Sequence, residues 1–346
     1  MIFDELYEKH RAKVAAAFQD AMSTIRSRVI LDVVTARLRV GDIEGAIDAI
    51  QVDPAAFGVL ERSLQEAFAD GGEAMVDELP NLRRPDGPAV VWTFSVRNLE
   101  AERLVREQSS TLVTRITEDQ RQGLRVAFSE GLARGDNPTR TALDVVGRVS
   151  RVTGRREGGF IGLNEPQIRF IESARQKLLS GDPELMREYL TLGTRDKRFD
   201  RTVAKAIREE RPVDRDMLTR IIDRLKDRNL KLRADTIGLE ETRTALFSAR
   251  ANAMRQQIDS GKLSASDVKK KWKHSGSGHP RLQHVAMNNV KVQIDEPFVM
   301  ADGTRMMHPH DPKAPARHKI GCKCRDEYDV DYIAAGYRKY RARING

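Results

Sequence analysis

The spacing of apolar residues changes once along this chain, and that change limits the folds the sequence can adopt. Apolar side chains recur at helical spacing through most of the 346 residues, and the last helical segment, 230–260, is predicted to end at Gly261. Further along, Val290, Val292 and Ile294 alternate with polar residues, which is the period of a β-strand. The sequence therefore predicts a mainly α-helical α+β fold with its strands near the C-terminus.

The C-terminal part has the signals of a compact α+β module, which we place at residues 230–332. Asp302 and Gly303 form an Asp-Gly pair between the apolar segments 298–300 and 306–307. Such a pair is a strong signal for a tight turn between two strands. The module is therefore predicted to contain a β-hairpin.

The N-terminal part is predicted to be a separate helical arm, residues 1–80. Its first helix covers about 3–34, because apolar residues there share one helical face. A second helix opens at Asp53–Pro54, a capping Asp followed by Pro at the first helical position, and ends at Gly71–Gly72. The proline-rich stretch Pro80–Pro88 is predicted to be a linker.

Between the arm and the module, residues 89–229 are predicted to form a helical middle region. Thr117 followed by Gln120 fits a capping box, and Asn137–Pro138 is a second signal for the start of a helix. The glycine-rich stretch 154–166 is predicted to be a mobile loop.

The charge balance permits a nucleic-acid partner without requiring one. The chain has 60 Lys and Arg against 51 Asp and Glu, a net charge of +9, with the two signs interleaved. Solvated helix faces and a DNA-binding surface both remain open as interpretations. Residues 195–233 and the basic tail, 333–346, have the clearest local excess. The residues predicted to contact DNA phosphates, without reading sequence, are Arg195, Lys197, Arg198, Arg201, Lys205, Arg208, Arg338 and Arg341.

Membrane and secretory features are not expected. No apolar run approaches the roughly 20 residues that span a bilayer, and the N-terminus is a charged amphipathic helix rather than a secretory signal. Cys322 and Cys324 are separated by one residue, a spacing that would strain a disulfide. Reduced thiols or metal ligands are expected instead, in a protein that assembles in the cytosol.

A zinc site is one of two interpretations of these cysteines. Structural zinc takes four Cys or His ligands in a tetrahedron, and a small loop-rich module gains stability from such a site. Cys-x-Cys is not the usual Cys-x-x-Cys spacing, so buried apolar cysteines beside polar loop histidines remain the alternative. The predicted ligands are Cys322, Cys324, His284 and His318, with His308 and His310 as alternatives to His318.

A series of motifs follows in order over about half of the chain. The predicted long helix contains RADTIGLEET at 233–242, and the last motif is IGCKC at 320–324. The others are GGFIGLN at 158–164, RDKRFD at 195–200, DRLKDR at 223–228, Trp272 and Arg281 before HVAMNN at 284–289, VQIDEPF at 292–298, DG at 302–303 and PHDP at 309–312. Together these segments resemble the phage Mu F-like head morphogenesis family of minor head proteins.

The chain departs from the pattern of that family at several positions. Leu239 stands where an arginine is usual, and Asn289 stands where a glycine is usual, although Asn can adopt the same left-handed conformation. Gly321 and Lys323 replace an Asn and an Arg of the final motif, and His310 replaces the glycine of the PGDP turn. Bonds that depend on the usual side chains at these positions are not expected here.

The resemblance implies a non-enzymatic minor head protein, present in few copies, that acts in procapsid assembly, DNA packaging or DNA delivery. The implied partners are the phage portal protein, major capsid or scaffold proteins, and double-stranded DNA bound without sequence preference. The implied location is the virion, at the capsid interior or the portal vertex, and the host cytoplasm during assembly.

A nuclease- or ADP-ribosyltransferase-like phage enzyme is the alternative. His279, Arg281 and His284 with Glu240 or Glu241 could act on a phosphodiester, because His transfers protons and Arg holds phosphate. However, the sequence contains no Gly-rich phosphate loop and no recognisable nucleophile–base pair. The two glutamates are better explained as ion-pair partners on a helix. The sequence therefore favours the structural role.

Overall fold

The computed structural model of the chain is mainly helical, with a few small antiparallel sheets. The predicted mainly α-helical α+β fold is confirmed. Much of the predicted linker Pro80–Pro88 and of the basic tail 333–346, including Arg338 and Arg341, lies outside the described residues. In the part of the chain that is described, no helix combines the length and apolar character needed to cross a bilayer. The described residues are 2–82, 89–276 and 280–335.

Several helices begin at the capping residues that the sequence provides. The Asn137 side chain accepts a hydrogen bond from the amide of Arg140 at 2.9 Å, as predicted for the start of α6. The helices are α1 Ile2–Arg28, α2 Leu31–Arg39, α3 Ile43–Asp48, α4 Gly58–Asp77, α5 Leu99–Ala133, α6 Pro138–Val146, α7 Glu165–Leu179, α8 Pro183–Thr191, α9 Asp200–Arg208, α10 Arg215–Asp259, α11 Leu282–Ala286 and α12 Ala316–Lys319. The first predicted helix, 3–34, is thus divided between α1 and α2, and α10 begins earlier than predicted.

The strands form short antiparallel sheets. β1 pairs with β2, β3 lies between β4 and β7, and β5 pairs with β6. The last pair is the predicted hairpin, in which Gly303 has a left-handed φ of 80°. The strands are β1 Arg148–Val149, β2 Arg156–Glu157, β3 Val268–Lys273, β4 Lys291–Gln293, β5 Phe298–Val299, β6 Arg305–Met306 and β7 Arg325–Val330.

The predicted end of the second helix at Gly71–Gly72 is wrong, because α4 continues to Asp77. A Cβ atom on Gly71 would lie 2.9 Å from the side chain of Leu246, and one on Gly72 would lie 2.2 Å from Phe94. These glycines therefore allow neighbouring groups to approach the helix closely rather than ending it.

The predicted mobile loop 154–166 contains a buried core segment. Phe160, Ile161 and Leu163 are at most 1% exposed. Gln120 explains part of this packing, since its side chain accepts from the amide of Gly162 at 2.6 Å and donates to the carbonyl of Leu163 at 2.8 Å. The predicted capping box of Thr117 with Gln120 is therefore wrong, because Gln120 lies inside α5 and its amide serves the buried segment.

The chain forms two compact units whose sequences interleave. Unit 1 consists of Met1–Val14, Glu61–Ser110 and Ile237–Gly346, and unit 2 consists of Ala15–Leu60 and Thr111–Thr236.

These units differ from the predicted division into an arm, a middle region and a module. In unit 1, the side chains of Lys9 and His10 each lie 2.8 Å from the carboxylate of Asp70, and the rings of Phe3 and Phe247 lie 5.0 Å apart. The start of α1 is therefore bound into unit 1 by residues distant in sequence. Helical periodicity shows which face is buried but not which partner covers it.

A buried ionic network lies in the interior of unit 2. The Lys226 ammonium, 0% exposed, lies 2.5 Å from the Asp144 carboxylate and 4.1 Å from the centre of the Phe160 ring. Arg175 donates to the same carboxylate at 2.6 Å. Burial alone would raise the pKa of Asp144, but Lys226 and Arg175 outweigh it and hold that pKa well below its usual value.

Replacing the central carboxylate tests this network. Asp144→Asn should lower the free energy of unfolding of the full chain by about 3–5 kcal/mol, because the buried Lys226 and Arg175 lose their shared carboxylate and Lys226 keeps only the longer 3.4 Å pair with Asp223. Urea denaturation followed by circular dichroism measures the change. The control is Glu184→Gln in the exposed Arg187–Glu184 pair, which should cost less than about 1 kcal/mol. An Asp144 variant no less stable than this control would contradict the account.

Candidate metal centre

Three side chains that bind soft metals meet in the interior of the C-terminal module. His284 lies in α11, and Cys322 and Cys324 lie in the segment between α12 and β7. The Nδ1 atom of His284 is 3.4 Å from the Sγ of Cys322 and 3.6 Å from the Sγ of Cys324. All three residues are at most 3% exposed. They form a possible metal-binding group, which we call the His284–Cys322–Cys324 cluster.

The distances within the cluster match those around a tetrahedral zinc ion. With Zn–S bonds of about 2.3 Å and Zn–N bonds of about 2.0 Å, a sulfur and a nitrogen ligand lie about 3.6 Å apart. The two S–N distances, 3.4 and 3.6 Å, are close to this value. An ion could therefore enter the cluster with little movement of the three side chains.

The cluster lies against the small apolar core of the module. Trp272, Phe298 and Met306 are 0% exposed, and both cysteines belong to the same group of packed residues. The Trp272 ring meets the His284 ring edge-on, with 5.4 Å between the ring centroids. The low exposure limits the movement of the ligands and excludes bulk water from the cluster.

Side chains of α10 and the start of α11 hold the backbone of the cysteine segment. The amide of Gly321 donates to the Glu240 carboxylate at 2.7 Å. Arg243 donates to the carbonyl of Cys322, and Arg281 donates to the carbonyl of Ile320. The segment is neither helix nor strand. These side chains therefore supply the hydrogen-bond partners that its backbone amides and carbonyls would otherwise find in regular secondary structure. Sequence reasoning did not predict this role, although Glu240 and Arg243 share a helix face at i, i+3 spacing.

The predicted ligand His318 lies behind His284 rather than beside the thiols. Its Nδ1 atom is 3.0 Å from Nε2 of His284, and its Nε2 atom is 2.9 Å from the Asp302 carboxylate. Both ring nitrogens of His318 are therefore already engaged, which corrects the predicted ligand set. The hydrogen bond from His318 is the largest cause that holds the pKa of Asp302 well below its usual value.

The hydrogen bonds from His284 through His318 to Asp302 suit the proton positions that a metal-binding His284 needs. If Nδ1 of His284 binds a metal, its Nε2 carries the proton and donates to Nδ1 of His318. His318 then donates from Nε2 to the Asp302 carboxylate. A series of hydrogen bonds from a ligating imidazole through a second group to a carboxylate is a common way to orient a metal ligand. Sequence reasoning found Asp302 only as a turn residue.

The other two candidate histidines are also buried in the module. His308 is 6% exposed, and its Nδ1 atom lies 2.9 Å from the carbonyl of Pro309. His310 is 0% exposed, and neither of its ring nitrogens makes a hydrogen bond to a described residue. Of the three candidate histidines, His318, which was predicted as the ligand, is therefore the one whose two ring nitrogens both have hydrogen-bond partners.

Cys322 and Cys324 shift each other's pKa in opposite directions. Hydrogen bonding to Cys324, followed by burial, raises the pKa of Cys322, while His284 and His310 act in the opposite direction. The bond from Cys322 is the largest cause that lowers the pKa of Cys324. The lowered pKa of Cys324 is a shift toward the thiolate, the form that binds metal.

The described members of the predicted DNA-contact set lie in unit 2. They are on α9 and on the 3-10 turn Lys197–Phe199 before it, except for Arg195, which precedes the turn. Arg195 is 3.0 Å from Asp200, Arg198 is 2.6 Å from Asp196, and Lys205 is 3.8 Å from Glu209. Part of the local charge excess is therefore neutralised within the chain. The exposed members of the set without an ion pair to a described residue include Lys197 and Arg201.

Three of the residues considered for an enzyme have other partners in the described structure. Arg281 and Glu240 bind backbone groups of the cysteine segment. The carbonyl and the carboxylate of Glu241 accept from the Gln108 side chain at 2.9 and 3.2 Å. His279 lies outside the described residues.

Comparison with known proteins gives a short match. Over 84 residues, 23% of this chain, the sequence is 32% identical to the "Uncharacterized protein YqbB" of Bacillus subtilis (strain 168). The match spans 28% of that protein's length. No protein-family model matches the chain. No solved structure is significantly similar to it.

Proposed function

We propose that this chain is a non-enzymatic minor head protein of a bacteriophage and that a zinc ion stabilises its C-terminal module. The proposal is supported above all by how the motifs of the family resemblance meet. The turn at 284–289, the IGCKC segment 320–324 and the helical motif 233–242 are far apart in sequence. They come together through the His284–Cys322–Cys324 cluster and the bonds from Glu240 and Arg243.

The chemistry of the donors supports zinc as the metal. Two thiols and an imidazole suit zinc, whereas magnesium and calcium prefer oxygen ligands. The apolar core around Trp272 is small, and the cysteines themselves are part of it. A metal ion that joins α11 to the cysteine segment would add the stability that a small core cannot provide.

Burial supports a structural role rather than catalysis. The metal-binding side chains are at most 3% exposed. A macromolecular substrate has no access to groups buried to this extent, and Arg281 and Glu240 are committed to backbone partners. The chain then works through its surfaces, with the portal protein, capsid or scaffold proteins and double-stranded DNA as partners, in the virion and in the host cytoplasm during assembly.

Removing the metal tests the zinc part of the proposal. Purified full-length chain should contain one zinc ion by elemental analysis, and a strong chelator should lower its thermal midpoint. A ligand present at 1,000 times its Kd stabilises by about 4 kcal/mol, so the shift should be several degrees or more. The control is the Cys322→Ser, Cys324→Ser variant, whose midpoint should not respond to chelator. A metal-free chain with no chelator response would refute this part.

The composition of phage particles tests the assignment as a minor head protein. Mass spectrometry of purified particles should find the chain in few copies relative to the major capsid protein. The purified chain should also co-sediment with the portal protein encoded beside it, and not with an unrelated ring-shaped assembly of similar size. Absence from the particles together with no portal binding would contradict the assignment.

Salt dependence tests the DNA-binding surface. Binding of the full chain to double-stranded DNA should weaken steeply with salt, because each phosphate contact releases counterions. The Lys197→Ala, Arg201→Ala variant should lower the slope of log Kd against log salt by about 2. Arg169→Ala with Arg187→Ala, which removes two ion-paired arginines, is the matched control and should leave the slope unchanged. A wild-type affinity that is independent of salt would rule out this surface.

A further inference from the structure

His310 is a buried ring with no hydrogen-bond partner among the described residues. It lies in the loop between β6 and α12 and is 0% exposed. Both of its ring nitrogens lack a hydrogen bond, and its ring packs nearly parallel to that of Phe247 at 5.3 Å. Leaving a buried polar group without a hydrogen bond is unfavourable. Among the described residues the imidazole has no hydrogen bond of normal geometry, and a bound ion would supply the missing partner.

The backbone conformation at His310 is also unfavourable for a residue with a side chain. Its φ is 61°, a left-handed conformation that favours glycine. The surrounding turn is fixed by the Asp311 carboxylate, which accepts from the amide of Met307 at 2.7 Å and from that of Lys313 at 2.9 Å. A glycine would meet the needs of this turn without strain. The imidazole is thus placed by a rigid loop, at a position where the backbone does not favour a side chain.

The helix α10 brings this ring and the thiols together. Phe247, which packs on His310, follows Arg243 by four residues and so lies on the same face of the helix. Arg243 holds the carbonyl of Cys322. Burial is the largest cause that lowers the pKa of His310, while the neighbouring Cys322 thiol acts to raise it. Through Phe247 and Arg243, His310 thus lies beside the cysteine segment. It is outside the group of ligand atoms that His284, Cys322 and Cys324 form, so binding the same ion requires its ring to move toward the thiols.

We propose that His310 is the fourth ligand of the zinc centre and completes a set with His284, Cys322 and Cys324. On binding, Zn²⁺ displaces the two thiol protons to solvent, and the two imidazoles bind as neutral rings. The centre then carries no net charge, as an ion in an apolar interior requires. Four protein ligands leave no open position for substrate, which makes the centre structural. This inference rests on the zinc part of the proposed function.

The test removes the imidazole while keeping the turn. Full-length His310→Gly should fold, because glycine accepts the left-handed conformation. Its affinity for Zn²⁺, measured by competition with a chelating dye, should fall at least about 100-fold, because one of the four ligands is lost. The visible absorption of the Co²⁺-loaded chain should shift, because water replaces a ring nitrogen. His310→Cys should restore tight binding and add a thiolate-to-cobalt charge-transfer band.

His308→Gly is the matched control, because His308 is a buried neighbour in the same loop. Its Co²⁺ spectrum and Zn²⁺ affinity should equal those of the wild-type chain. If the wild-type chain binds zinc and His310→Gly has the same affinity and the same Co²⁺ spectrum, His310 is not a ligand, although the zinc proposal stands. If the wild-type chain binds neither ion, both this inference and the zinc part of the proposed function are wrong.

Discussion

The fold of the C-terminal module depends on anchoring a buried segment that has no regular secondary structure. Cys322 and Cys324 are buried, yet neither belongs to a helix or strand. Their segment is held by backbone bonds from Glu240, Arg243 and Arg281, and by the contacts of both thiols with His284. Because unpaired buried polar groups are costly, loss of these partners would release the segment from the module. The proposed zinc ion would act at the same point, since it would join the segment to α11.

Buried charge is compensated differently in the Lys226–Asp144 network and at the cysteine cluster. Unit 2 encloses the Lys226 ammonium against Asp144 and Arg175, so the charges compensate one another within the protein. In the module, the negative charge of two deprotonated thiols would be balanced only by a bound cation. Without a cation, that charge would lie uncompensated in an apolar core. The network around Asp144 is therefore complete with the chain's own residues, whereas the cysteine cluster gains most from an added ion.

Signals that depend on local chemistry could be predicted from the sequence, and those that depend on tertiary contacts could not. The Asn137 cap, the Asp302–Gly303 hairpin and the meeting of His284 with the cysteines follow from local rules and motif order. Strand β3, with the sequence VKKKWK, suggests a solvated surface. Yet Lys270 is 2% exposed and donates to the carbonyl of Met307 at 2.7 Å, and burial lowers its pKa to about 8. Likewise, the sequence cannot show that Leu246 packs closely against Gly71, or that a ring nitrogen of His318 is hydrogen-bonded to Asp302.

X-ray absorption at the zinc edge of the purified full-length chain tests the central claim most directly, because it reports the atoms bound to the metal. The account predicts one tightly bound zinc with two sulfur neighbours at about 2.3 Å and two nitrogen neighbours at about 2.0 Å. A chain that retains no zinc, or zinc surrounded only by oxygen and nitrogen, would contradict it.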